Sequence, residues 1–142
     1  MLFDKNKDKL LLDLQRKLIN GEYETSEYYV FKIYEPKERE IFKLPYYPDR
    51  IVHHAIMNIM EPIWVSAFVK GTYSCIRKRG IHKALKDVKF ALKDEINTQY
   101  CLKLDIRKFY HSIDHDILKT IIRKKIKDKR LLSLLDEIIE SA

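Results

Sequence analysis

Tyr100-Cys101-Leu102-Lys103-Leu104-Asp105-Ile106-Arg107-Lys108-Phe109-Tyr110-His111-Ser112-Ile113-Asp114 decides how the rest of the chain is read. Tyr100, Leu102, Leu104 and Ile106 alternate with Cys101, Lys103 and Asp105, which is the period of a half-buried strand. The alternation predicts a strand ending near Asp105, with that carboxylate on the face opposite the apolar residues. Phe109 and Tyr110 follow within one turn. A carboxylate at a strand end, followed by an aromatic-bearing turn, commonly holds a divalent ion over an incoming phosphate.

Downstream, Ile117, Leu118, Ile121 and Ile122 lie at helical spacing, with Asp114 placed as N-cap and Asp116 complementing the positive helix end. The sharper alternative is a small metal nuclease using Asp105, Asp114 and Asp116. Capping is preferred, because the apolar run starts immediately afterwards. Arg123 to Arg130 (RKKIKDKR) is basic enough to follow a nucleic-acid backbone and reads equally as an exposed helix end. Leu131, Leu134, Leu135, Ile138 and Ile139 predict a final helix whose stripe needs a partner.

Upstream, Ile81, Ala84, Leu85, Val88, Ala91 and Leu92 predict an amphipathic helix with Lys83, Lys86, Lys89 and Lys93 on its outer face. Val69 to Gly80 (VKGTYSCIRKRG) reads as the loop before it. Arg77-Lys78-Arg79, with Tyr73 nearby, suits a contact along a nucleic-acid backbone, and a solvated loop suits it as well. Pro48 opens an earlier helix in the favoured first-turn position. Its expected buried face is Ile51, Val52, Ala55, Ile56, Ile59 and Met60, while Arg50, His54, Asn58 and Glu61 share the other. Arg50 is a further candidate for nucleic-acid contact. His53 and His54 point about 100° apart, so one packs, one faces water, and neither pairs on a metal. Pro62 is expected to end or kink this helix, and Trp64 and Phe68 to enter the core, a base-stacking platform being the secondary reading.

Leu10, Leu11, Leu14, Leu18 and Ile19 predict a first helix closed by Asn20-Gly21. Glu27 to Tyr34 and Arg39 to Leu44 predict a hairpin around the turn Glu35-Pro36-Lys37-Glu38. From residue chemistry alone its tip is an ordinary exposed turn. The alternative has Lys37 and Arg39 reaching over a triphosphate.

The 142 residues suffice for a real core, and 28 Lys plus Arg against 21 Asp plus Glu give a net charge of +7. Such an excess suggests a polyanionic partner, nucleic acid first, and on charge alone a merely solvated basic surface stands about even with it. Cys75 and Cys101 show neither metal nor disulfide spacing, so a reduced, cytoplasmic chain is expected. Met1 to Leu14 mixes Asp and Lys among its apolar residues and is not expected to be a signal peptide. No apolar run approaches the roughly 20 residues of a membrane span.

Three blocks, in order, resemble the bacterial retroelement reverse transcriptases. The first is Arg39-Glu40-Ile41 with Leu44-Pro45, Asp49-Arg50-Ile51-Val52-His53-His54-Ala55 and Glu61-Pro62. The second runs from Tyr73-Ser74-Cys75 to Gly80-Ile81-His82-Lys83-Ala84, and the third from Leu104-Asp105-Ile106 through Phe109-Tyr110 to Ile113-Asp114-His115. The chain looks most like the enzymes of diversity-generating retroelements and, slightly less, those of group II introns. His-His-Ala and Tyr-Ser-Cys tilt it to the former.

The resemblance implies an α+β fold: mostly helical fingers with a β-hairpin over 1–98, then the first strand and helix of a polymerase palm over 99–142. It implies the amino-terminal part of an RNA-directed DNA polymerase acting on an RNA template, a DNA primer and dNTPs. The remaining palm and thumb, or an accessory protein, would be its protein partner. Asp105 matches the first catalytic aspartate, which with the Ile106 carbonyl would hold two Mg²⁺. Tyr110, with Phe109 beside it, matches the aromatic under the nucleotide sugar. Arg39, and more loosely Lys37, match the cations on the triphosphate. Arg50, Tyr73, Arg77, Lys78 and Arg79 fall to the nucleic acid. The Pro45–Asp49 segment carries one residue more than the family pattern. The family's adjacent Asp-Asp pair is missing, since no Asp-Asp dipeptide occurs in the chain. The isolated chain is therefore expected to be inactive. A non-catalytic RNA- or DNA-binding module is the rival class.

Overall fold

Leucine spacing and a glycine stop build the first helix. The computed structural model describes residues 6–141, so Met1 to Lys5 of the expected leaderless start lie outside the described residues. Helix α1 (Lys7–Asn20) buries Leu14 and ends at Gly21, whose φ of 73° is left-handed. There the Gly21 N–H donates to the Leu18 carbonyl and the Glu22 N–H to Lys17, closing the helix with two bonds.

Strands β1 (Tyr29–Ile33) and β2 (Arg39–Lys43) pair antiparallel, from Tyr29 opposite Lys43 to Ile33 opposite Arg39. Tyr47 is extended (φ −109°, ψ 134°), as a residue before proline prefers. Pro48 then begins a helical run that passes through a π-type turn (Tyr46–Arg50) into α2 (Ile51–Ala67). After α3 (Ile81–Ala91) and a 3₁₀ turn (Tyr110–Ser112) come α4 (His115–Lys125) and α5 (Lys129–Glu140). Five α-helices and one hairpin among the described residues make the class α+β.

Two compact units result: one formed by the chain up to Asn58 together with Ile113 onwards, the other by Ile59–Ser112. In the first, the core is Leu14, Tyr23, Val52, Ile56, Ile122, Ile126 and Leu135. Helices α4 and α5 pack against each other and are tied by Arg123–Asp136 and Lys119–Glu140 ion pairs. The Glu137 carboxylate of α5 accepts from both the N–H and the hydroxyl of Thr25, each at 2.8 Å.

Four expectations are corrected. Residues 101–106 form no strand, although their alternation is that of one. Alternation supplies a side-chain pattern but not a ladder partner, and among the described residues the one sheet is the hairpin. Leu102 and Leu104 are accordingly 81% and 80% exposed. Pro62 does not end α2, which continues to Ala67. The missing proline N–H removes one rung, and those on either side carry the helix on. The broad face of α2 narrows to Val52, Ile56 and Met60, because Ala55 and Ile59 find no covering element. Trp64 is half-buried rather than core, and Phe68 is exposed.

Candidate functional site

Asp105 sits in an irregular, exposed segment of the second unit, two residues before the turn that starts at Arg107. Among the described residues it makes no salt bridge, so its charge is not spent inside the fold. Lys108 takes the left-handed conformation (φ 49°), an uncommon backbone for a side chain of this length. That turn sets the Phe109 and Tyr110 rings edge to face, centroids 5.4 Å apart. Tyr110 is 84% exposed, leaving its face free to meet a flat ligand. Asp105, Ile106, Phe109 and Tyr110 thus share one short exposed segment.

The loop ahead of α3 is fastened to that helix. Tyr73 donates its hydroxyl to Asp87 at 2.8 Å, and Lys83 of the same helix also holds that carboxylate. Donation to Asp87 raises the Tyr73 phenol, while Lys83 and then Tyr73 hold the Asp87 carboxyl below its usual range. Tyr73 is therefore a half-buried strut rather than a free platform. Arg77 and Lys78 are exposed, Lys78 with φ 64°, whereas Arg79 is half-buried and its Nη1 finds no partner among the described residues.

In the first unit, Arg39 opens β2 and Lys37 lies in the five-residue turn between the strands, both exposed. Lys32 reaches Glu38 at 2.7 Å, which leaves Lys37 and Arg39 without an ion pair among the described residues. Arg50 is exposed beside the wholly buried Asp49. His53 is half-buried and His54 exposed, as adjacent positions on a helix demand.

Asp114 caps α4: its Oδ1 accepts from the Ile117 N–H at 2.9 Å. The sequence alternative of a nuclease carboxylate would need that oxygen for an ion. Asp114→Ala should cost about 1 kcal/mol of stability, measured by urea unfolding. A loss well above this figure would point to a further role. The basic run from the last turn of α4 to the first turn of α5 is partly consumed internally, with Arg123 on Asp136, Lys127 on the Arg123 carbonyl, and Arg130 on the Ile19 carbonyl.

No three His, Cys, Asp or Glu side chains among the described residues come together as a metal-holding group. The chain's own donors therefore do not amount to the two-magnesium site that the resemblance implies; Asp105 offers one carboxylate. No helix among the described residues is long and apolar enough to cross a membrane.

No protein-family model matches the chain. Protein YkfC of Escherichia coli K12 is 29% identical over 133 residues, covering 90% of this chain and 34% of that protein. Nuclear intron maturase 1, mitochondrial, of Arabidopsis thaliana is 22% identical over 122 residues, covering 86% of this chain and 16% of its own length. The group II intron-encoded protein LtrA of Lactococcus lactis is 26% identical over 98 residues, or 69% of this chain and 16% of that protein. The chain thus spans about a third of the first relative's length and about a sixth of the other two. It is a distant homologue of the group II intron reverse transcriptases and maturases.

Proposed function

We propose that this distant homologue of group II intron reverse transcriptases supplies the fingers (1–98) and the start of the palm (99–142) of an RNA-directed DNA polymerase. The observation that carries the reading is the ordered set of three sequence blocks, within a chain matched over most of its length by YkfC, by an intron maturase and by a group II intron-encoded protein. Its template would be RNA, its primer DNA and its substrates dNTPs. Asp105 and the Ile106 carbonyl would be the chain's share of the donors for Mg²⁺, which when bound offsets phosphate charge during phosphoryl transfer. Tyr110 and Phe109 would bound the nucleotide sugar, and Arg39 with Lys37 would meet the triphosphate. Arg50, Tyr73, Arg77, Lys78 and Arg79 would flank the nucleic acid, Tyr73 by positioning the loop.

One carboxylate cannot do what the chemistry asks of several. The isolated 142-residue chain should therefore incorporate no dNTP above background in a primer-extension assay with Mg²⁺ and poly(rA)/oligo(dT). Incorporation by the chain alone would overturn this reading. Adding or fusing the remaining palm and thumb of a relative should restore it.

A further inference from the structure

We infer that the lysine-bearing face of α3 is a binding surface for single-stranded nucleic acid, with the backbone along His82, Lys86, Lys89 and Lys93 and an unpaired base against Phe90. It shares with the polymerase reading only the need for a nucleic-acid partner, and uses neither Asp105 nor magnesium. A groove of about 460 Å³ is lined by these five residues and Leu85. Residues 82, 86, 89 and 93 follow one another by steps of four, three and four; the first three lie on one stripe of α3, about 16 Å long, and Lys93 stands in the turn two residues beyond its end.

The stripe is only partly compensated, Lys86 alone of the three lysines acting on Asp87. None of Lys86, Lys89 and Lys93 forms a salt bridge among the described residues. Asp87 is the one acidic residue of α3, and Lys83 and Tyr73 already hold it. Three ammonium groups along one groove repel each other and stay together at a cost that a polyanion relieves.

Phe90 decides which polyanion. It is 75% exposed amid cations, with the Lys93 Nζ 5.9 Å from its ring centroid. An aromatic left in water beside lysines contributes nothing to a core, whereas base stacking on an aromatic within a basic groove is how single strands are held without sequence preference. A duplex keeps its base faces covered, and an acidic peptide has no use for the ring.

Fluorescence anisotropy of a labelled oligouridylate of about 15 nucleotides with the full 142-residue chain, without Mg²⁺, tests this. Lys86→Gln/Lys89→Gln/Lys93→Gln should weaken binding about 100-fold at low salt. It should also flatten the dependence of log affinity on log salt by about 2, at roughly 0.7 per phosphate contact. Phe90→Ala should weaken binding about tenfold and leave that slope unchanged, while Phe90→Trp keeps it. Both sites are exposed, so far-UV circular dichroism should not change. Failure of the wild-type chain to bind, an unchanged slope in the triple variant, an indifferent Phe90→Ala, or equal competition by polyglutamate would each overturn the inference. The assay contains neither Mg²⁺ nor dNTP and reads binding alone, so a failure of the polymerase reading and a failure here are told apart.

Discussion

Asp105→Asn abolishes dNTP incorporation, by about a thousandfold or more, in a polymerase completed by adding the remaining palm and thumb of a relative to this chain. The substitution keeps the size of the side chain, turns one acceptor oxygen into a donor amide and removes the charge. At 1.36 kcal/mol per decade, a thousandfold is about 4 kcal/mol of lost transition-state stabilisation, within what a metal-ligating carboxylate supplies. The structure makes the test clean. Among the described residues Asp105 forms no ion pair and is exposed, so its loss should leave the thermal midpoint of the isolated chain unchanged. Primer extension under single-turnover conditions reads the effect. Retained incorporation with the asparagine would remove Asp105 from the chemistry and leave the binding-module reading standing.

Asp49→Ala is the second large effect, and it falls on stability. Asp49 is the buried charge of the first unit, 0% exposed, accepting from the Tyr23 hydroxyl at 2.7 Å and the Ser26 N–H at 3.1 Å. Alanine leaves the buried Tyr23 hydroxyl and the half-buried Ser26 N–H without their acceptor, at about 3–5 kcal/mol in all. For a chain of this size the melting temperature should fall by roughly 10–15 °C, read by circular dichroism. Tyr23→Phe removes one donor and should cost about 1–2 kcal/mol. A loss below 1 kcal/mol for alanine would mean that the pocket takes up water freely.

The same pair gives a pH window. Burial pushes the Asp49 carboxyl up, but the hydrogen bonds from Tyr23 and Ser26 outweigh it and hold the group below the ordinary carboxylate range. A depressed folded value stabilises the protein above about pH 4. That contribution disappears as pH falls through the folded value. Burial, and then the bond to Asp49, raise the Tyr23 phenol far above its usual 10. Its contribution is complete below pH 10 and is lost only as pH rises beyond. Tyr23→Phe should therefore lose the alkaline part of this dependence and weaken the acid part, since it removes the foremost of the bonds that hold Asp49 down and leaves that of Ser26.

Much of the fold was legible because its signals are local. Gly21 marks the end of α1, Tyr47-Pro48 the entry to α2, and Asp114 the start of α4, each through a backbone rule satisfied within a few residues. The hairpin showed in its aromatic and β-branched residues. What stayed hidden depends on distant partners. No pattern tells Leu102 and Leu104 whether a neighbouring strand exists, or Phe68 whether anything covers it. Nothing in the sequence marks Asp49 as structural, and only Tyr23, 26 residues earlier, reveals it as a buried acceptor. On α3 the lysines were visible in the spacing, yet Phe90 among them was not, since an aromatic within an amphipathic helix ordinarily reads as core.

Glu137 meets Thr25 across 112 residues, and Leu14 shares its core with Leu135. During synthesis, then, the early helices wait. At about 5–20 residues per second, some 4–15 s separate the emergence of α2 from that of α5. Through that interval Leu14, Tyr23 and Val52 lack their seal and are available to chaperones or to one another. Ribosome-bound chains stalled before Asp128 should be cleaved readily by protease, and those released after Glu140 should resist.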